Sequence, residues 1–163
     1  MSDPFRLRIL KNLTAALETI TVANGYTHEL AGKVFRGRTA FGESDPIPMV
    51  VILEGIEQEQ PRFSSQPAGS DAAKEPWELL LQGFVEDDPL NPTDPAHVLM
   101  AEVKKRLAQE RTTDNGRNIL GMGGKVMRMN IGNGVVRPPD DISNKAYFWL
   151  RVSLMIVENM GNP

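Results

Sequence analysis

The chain contains no cysteine among its 163 residues. Without thiols it can form neither a disulfide framework nor a thiolate metal site, and it has no cysteine nucleophile. The two histidines, His28 and His97, have no second histidine, nucleophile or acid partner nearby at ligand or catalytic spacing. We therefore expect no metal site and no cofactor.

Long hydrophobic runs are also missing. No apolar stretch reaches the roughly 18 residues that predict a membrane span. Residues 1–4 do not form the basic segment that precedes the apolar core of a signal peptide. We expect a soluble protein that is made in a cytoplasm and has no membrane partner.

Catalytic patterns are absent or incomplete. The glycine-rich Gly121–Lys125 has the wrong spacing for a phosphate-binding loop, and the sequence after it does not begin a helix. The acidic clusters Glu86–Asp88 and Asp140–Asp141 lack a recognisable base, nucleophile or metal partner. We predict no catalytic residues and a protein that is not an enzyme. A small-ligand enzyme acting through one of these clusters remains an alternative.

The last strand-like run, Ala146–Glu158, carries the most information. One of its faces is purely apolar: Phe148, Leu150, Val152, Leu154 and Ile156. The other face is mixed: Tyr147, Trp149, Arg151, Ser153, Met155 and Val157. Since further apolar runs occur at Met49–Leu53 and Leu79–Val85, we expect a sheet that is buried on much of both faces.

Only two helices are predicted to cover this sheet. The first has an apolar stripe at helical spacing from Phe5 to Ile20, with Ser2 or Asp3 as cap. The second begins near Pro95 with Thr93 or Asp94 as cap. Its predicted inner stripe is Val98, Leu99, Ala101, Val103 and Leu107. Because two helices can cover only one face, the pattern favours a subunit that completes its burial against other copies or partners.

The strand predictions complete the element order. Strands are expected at 26–30, 33–36, 49–56, 75–86, 125–136 with an interruption at 132–134, and 146–158; the first two can equally form a single irregular strand. The order α-β-β-β-β-α-β-β indicates an α+β fold, with a mixed, mainly antiparallel sheet packed against the two main helices. We predict one domain over residues 1–163, with a long loop or arm at about 57–74 whose polar sequence lacks periodicity.

Charge is unevenly distributed along the chain. Residues 41–95 contain twelve acidic and two basic side chains, whereas residues 96–163 contain ten basic and six acidic ones. The acidic segment can simply keep a loop solvated. Alternatively, it can face the basic flank of a neighbouring copy in a head-to-tail ring.

Seven residues are candidates for an interface. Two lie in the arm, three form a basic run in the second helix, and two are the tryptophans of the chain: Arg62, Phe63, Lys104, Lys105, Arg106, Trp77 and Trp149. Tryptophan is enriched at interface hot spots, although a large aromatic on a strand is more often part of the core. A DNA-contacting adaptor that uses the basic run is a weaker alternative, because a pI near 5.4 disfavours phosphate binding.

Several short motifs carry a family resemblance. The first helix begins with Phe5–Leu13 and is followed by Val34–Arg38 and Asp45–Glu54. An Asp-Pro-x-Asn-Pro turn at 88–92 precedes the second helix, and the final strand ends with Val157-Glu158. In motif order over nearly the whole chain, the sequence resembles the tail terminator, or tail completion, proteins of tailed bacteriophages.

The resemblance implies a structural virion protein without catalytic residues. Such proteins have a mixed α/β fold and typically form a hexameric ring at the head-proximal end of the tail tube. There they stop tube polymerisation and provide the surface that joins the filled head. The implied partners are further copies of the chain, the tail tube protein and a neck or head-completion protein, with DNA only as passing cargo. The implied location is the virion tail, assembled in the bacterial cytoplasm. Another neck or head-tail connector ring protein is the alternative.

Overall fold

A computed structural model describes residues 2–55 and 69–163 of the chain. Within these ranges two helices and six strands form the fold. They are α1 (Phe5–Glu18), β1 (Val34–Arg36), β2 (Met49–Glu54), β3 (Ala72–Val85), α2 (Asp94–Arg111), β4 (Val126–Ile131), β5 (Val135–Arg137) and β6 (Ala146–Asn159). Short 3-10 turns follow each helix.

The strands form one mixed sheet in the order β1-β2-β3-β6-β4, with β5 paired to β6 beside β4. Only β1 and β2 are parallel, and every other pair is antiparallel. The long β3–β6 ribbon forms the centre and runs in register from Ala72 opposite Asn159 to Val85 opposite Ala146. The architecture confirms the predicted α+β class.

Both helices pack on one face of the sheet, which we call the helix face. The alternating apolar residues of β6 predicted to be buried are buried here, against Leu79 and Leu81 of β3. From α1, Ile9, Leu13 and Leu17 complete this core. Burial of each large aliphatic side chain contributes about 1.5–3 kcal/mol, so this face supplies most of the stabilising apolar burial.

An ion cluster fixes α1 over the end of the β3–β6 ribbon. The guanidinium of Arg6 donates to Glu158 at 3.0 Å and also pairs with Glu75. The same group lies 4.9 Å from the ring centroid of Trp77. Because Glu158 is buried, Arg6 supplies the positive charge that its carboxylate requires.

Three local predictions are corrected. Residues 26–30 form no strand, and the first strand is Val34–Arg36 alone. The first helix begins at Phe5 after Pro4 without a side-chain cap and ends at Glu18. Strand β3 starts at Ala72, so residues 72–74 belong to the sheet instead of the arm, while residues 57–68 of the arm lie outside the described ranges.

The buried stripe of α2 also differs from the prediction. Ala96, Met100 and Glu102 are buried, whereas Val98 is 41% exposed and Ala101 is exposed. The spacing of Ala96, Met100 and Val103 shows the true phase of the helix. None of the helices in the described ranges combines the length and hydropathy needed to cross a bilayer.

Candidate assembly surface

The face of the sheet opposite the helices, here called the far face, carries a second and smaller apolar cluster. Its buried members are Met49, Val51, Leu53, Phe84 and Tyr147. Partly buried Phe35, Ile47, Leu80 and Trp149 pack around them. The prediction of a sheet apolar on both sides is therefore right in part: on β6, Arg151 is exposed and Ser153, Met155 and Val157 are half-buried.

Four aromatic rings form a row across this face. The ring centroids of Phe41 and Phe84 are 4.5 Å apart, those of Phe84 and Tyr147 are 6.1 Å apart, and those of Tyr147 and Trp149 are 5.7 Å apart. Tilted and offset pairs at these distances are favourable beyond their area burial. The row extends from the loop before β2 to Trp149, the partly buried aromatic at its end.

A polar group anchors the centre of the row. The hydroxyl of Tyr147 donates a 2.7 Å hydrogen bond to Oδ2 of Asp140, and Nε of Arg137 lies 3.8 Å from the same oxygen. The hydrogen bond from Tyr147 lowers the pKa of the Asp140 carboxyl. Burial, followed by this hydrogen bond, raises the pKa of the Tyr147 phenol. The turn at 138–145 is thereby fixed to β6.

A groove of about 460 Å³ lies at the end of the aromatic row. Leu80, Trp149 and Val135 provide its apolar wall, and Glu78, Gln82 and Arg151 provide its polar edge. Val135, which lies opposite Trp149 in the sheet, is 52% exposed. Nε1 of Trp149 is buried without a hydrogen-bond partner among the described residues. The groove therefore offers apolar surface with a polar edge, and the indole N–H of Trp149 is enclosed beneath it.

The loop between β4 and β5 shapes one side of this groove. Gly134 has φ +79°, and a Cβ added to it would lie 2.6 Å from Sδ of Met100. A glycine is needed there because the loop passes close to α2. Lys104 of α2 donates from Nζ to the carbonyl of Asn133 at 2.5 Å, which holds the loop in place.

Basic residues predominate on the far face beyond the groove. Among the described strand residues of this face, the exposed charged side chains are Lys74 on β3, Arg128 on β4 and Arg151 on β6, together with the acidic Glu78 on β3. All four lie at positions that alternate onto the same face as Trp149. Glu78 and Arg151 line the groove itself, while Lys74 and Arg128 lie farther along the same face, so the net positive charge of the described far-face residues comes from beyond the groove.

The structure distributes the predicted interface residues over different surfaces. Trp149 lies at the groove, whereas Trp77 is buried on the helix face beneath Arg6. Arg62 and Phe63 lie outside the described ranges. Of the two tryptophans, only Trp149 is thus positioned at an accessible surface.

The basic run of α2 has several intramolecular contacts. Besides the bond of Lys104 to Asn133, Nζ of Lys105 lies 5.4 Å from the ring centroid of Tyr26. Arg106 donates from Nε to Oγ1 of Thr19 at 2.8 Å and pairs with Glu110 at 3.1 Å. Of the three side chains, Lys105 is exposed, and Arg106 joins the two helices.

One polar cluster is absent from the predictions. Nδ1 of His28 lies 2.5 Å from Glu102, and the other carboxylate oxygen of Glu102 accepts the backbone N–H of Thr27 at 2.5 Å. The prediction that His28 has no acid partner is therefore wrong, because Glu102 is distant in the sequence but adjacent in the fold. The two residues are 74 positions apart, and the only signal in the sequence is one glutamate within an otherwise apolar helical stripe.

The acidic clusters considered for chemistry have structural roles. Glu86 pairs with Lys145 at 2.9 Å, and Oδ1 of Asp88 accepts the backbone N–H groups of Leu90 and Asn91. Asp140 accepts from its own turn and from Tyr147. Within residues 2–55 and 69–163, no group of three histidine, aspartate or glutamate side chains is placed to hold a metal ion.

No family model matches the chain, and a search of the curated proteins also gave no match. The far face, with its aromatic row, its groove and the surrounding basic residues, is the feature from which the function is inferred below.

Proposed function

We propose that the protein is a structural subunit of a phage tail that assembles as a ring on the head-proximal end of the tail tube. In this role it ends tube polymerisation and presents the surface to which the head is joined. The partners are other copies of the chain, the tube protein and a neck or head-completion protein.

The single observation that carries the proposal is the partly covered far face. Both helices lie on the opposite side of the sheet, while Leu80, Val135 and Trp149 leave apolar area at the groove. An apolar surface of this kind with a polar edge is typical of a protein interaction site. The family resemblance of the motifs supplies the identity of the assembly.

The described residues do not form a recognisable set of catalytic groups. The clusters Glu86–Asp88 and Asp140–Asp141 have their carboxylates in turns and ion pairs. Among the described residues that line it, the groove has the charged Glu78 and Arg151 but lacks the histidine, serine or tyrosine that would form a base–nucleophile pair with Glu78. Binding is the function that this surface supports best.

Two measurements test the proposal. Light scattering on a concentration series should give masses that are multiples of the 18.0 kDa chain, with a closed species at high concentration. Cosedimentation with tubes of its own phage should recover the protein with the tubes even if it is monomeric alone, because an interface completed by the tube end is weak in isolation. A protein that stays monomeric at its solubility limit and does not cosediment contradicts the proposal. Binding to isolated necks but not to tubes would indicate the connector alternative.

A further inference from the structure

Leu90 is the most exposed large hydrophobic residue among those that the structure describes, with 88% of its surface in solvent. It does not lie on a loose segment: Oδ1 of Asp88 accepts the N–H of Leu90 at 2.9 Å and the N–H of Asn91 at 2.8 Å. Pro89 and Pro92 restrict the backbone on either side. The turn between β3 and α2 therefore has a constrained backbone that presents an apolar side chain to solvent. We call Leu90 the knob.

The surroundings of the knob are acidic. Glu86, Asp87, Asp88 and Asp94 lie within four residues of Leu90, and Glu86 pairs with Lys145. The turn also belongs to the segment 41–95, which has twelve acidic and two basic side chains. A partner surface for the knob should therefore combine an apolar recess with positive charge.

The far face has both properties, with the apolar recess in its groove and the positive charge along the strands beyond it. Its wall of Leu80, Val135 and Trp149 is apolar, and its volume of about 460 Å³ is ample for one leucine side chain. Arg151 and Glu78 lie at its edge, and Arg128 and Lys74 add basic side chains farther along the same face. The knob thus matches the groove in size and polarity and the far face in charge, and the two occupy different places on the same chain.

We propose that Leu90 of one copy inserts into the far-face groove of the next copy, with the acidic turn toward the basic side chains Arg128 and Lys74 of that face. This inference rests on the self-association in the proposed function and names the surfaces that carry it. The knob lies beyond the end of β3, whereas the groove lies over the middle of β3 and β6. Each copy therefore offers one knob and one groove, and a head-to-tail series of such contacts closes into a ring when the rotation allows it.

Single substitutions separate the two halves of the contact. Leu90→Asp removes the knob, and Val135→Asp places a carboxylate in the groove wall. Both residues are exposed, so neither change should shift the melting temperature of the monomer by more than about 2 °C. Ile142→Asp is the control, because Ile142 is 62% exposed and also lies in a turn at this end of the sheet. We expect Leu90→Asp and Val135→Asp to weaken association at least tenfold, while Ile142→Asp behaves as the wild type.

A mixing experiment tests the pairing itself. Leu90→Asp retains an intact groove, and Val135→Asp retains an intact knob. An equimolar mixture should therefore form a heterodimer of twice the 18.0 kDa chain mass that does not grow further, since its second junction is defective on both sides. Light scattering with one variant labelled by a fluorophore identifies this species.

The outcomes distinguish this inference from the proposed function. If the wild type forms rings and Leu90→Asp does so equally well, or if the mixture yields no heterodimer, the knob–groove contact is wrong while the ring stands. If the wild type associates only on tubes, cosedimentation replaces light scattering, and the two variants should bind tubes at least tenfold more weakly than Ile142→Asp. If the wild type neither associates nor binds tubes, both the contact and the proposed function are contradicted.

Discussion

The ring of Phe148 occupies the space that a side chain on Gly83 would need. The two residues lie opposite each other in the β3–β6 ribbon, and a Cβ added to Gly83 would lie 2.0 Å from Cε1 of Phe148. Phe148 is fully buried in the core on the helix face. The centre of the sheet is thus packed through a glycine on one strand and an aromatic ring on the other.

Gly83→Ala should therefore destabilise the fold. The added methyl group overpacks the core, which we expect to lower the free energy of unfolding by about 1–3 kcal/mol. Urea unfolding measures the change. Gly124→Ala is the matched control, since nothing lies within 4 Å of a Cβ at that position. Equal stability of the two variants would contradict the packing described for the ribbon.

The bond between Tyr147 and Asp140 predicts a pH dependence. The pKa of Asp140 is lowered in the folded chain, chiefly by this hydrogen bond. A carboxyl whose folded pKa lies below its unfolded value of about 3.9 stabilises the fold fully above that value, and this stabilisation is lost as the pH falls through the folded pKa. Asp140 should therefore contribute to stability at neutral pH and cease to contribute in acid.

Tyr147→Phe removes the donor and should reduce this dependence. We expect the variant to be less stable than the wild type at pH 7, with a difference in free energy of unfolding that narrows below about pH 4.

The Tyr147 phenol has the opposite pH dependence, because its pKa is raised in the folded chain. Its contribution to stability is complete below about pH 10 and is lost as the pH rises through the folded pKa. Urea unfolding from pH 3 to pH 7 tests the acid limb, with Asp140→Asn as the second variant. If wild type and Tyr147→Phe differ in free energy of unfolding by the same amount at every pH in this range, the hydrogen bond is not coupled to the titration of Asp140.

Glu102 stabilises the segment after α1 through its contacts with Thr27 and His28. Replacement by alanine leaves the N–H of Thr27 without its acceptor and removes the partner of His28. Loss of a hydrogen bond to a charged group costs about 1.5–3 kcal/mol, which unfolding by urea can measure. Glu102→Gln retains an acceptor oxygen and should lose less stability. Faster hydrogen exchange at the Thr27 amide is expected in the alanine variant, and unchanged exchange would argue against the contact.

Substitutions in the basic run of α2 should differ in their effect on stability, because Arg106 has more intramolecular contacts than Lys105. Arg106→Glu removes the bond to Thr19 and places a second carboxylate one turn before Glu110. We expect a loss of about 1–2 kcal/mol in the free energy of unfolding. Lys105→Glu, at an exposed position, should change stability by less than about 0.5 kcal/mol. Thermal unfolding compares the two, and a larger loss for Lys105→Glu would contradict the described contacts. Lys105→Glu is therefore the variant suited to testing this run in assembly.

The sequence predicted the elements whose signal is local. Alternation along Ala146–Glu158 and the apolar run 79–85 correctly indicated the two central strands, and Pro95 marked the start of α2. The glycines at 132–134 correctly separated β4 from β5. In each case the pattern depends on residues close together in the chain, which periodicity can detect.

Relationships between distant residues escaped prediction. Alternation places Trp77 and Trp149 each on a face of its strand, but only the strand register reveals that the two faces are opposite. The phase of α2 was misassigned because Val98 is apolar yet exposed, and Glu102 is charged yet buried through its contacts with Thr27 and His28. The groove combines residues from β3, β6 and the loop after β4, so no single segment carries its signature.

The length of tail tubes tests the central claim most directly. In this test of the proposed function, phage tail tube protein is polymerised in the presence of increasing amounts of this chain, and tube lengths are measured by negative-stain electron microscopy, with Leu90→Asp as the matched variant. The account predicts shorter tubes of narrower length distribution, each with added density at one end, and a weaker effect of the variant. Tubes of unchanged length with no added density at either end would contradict it.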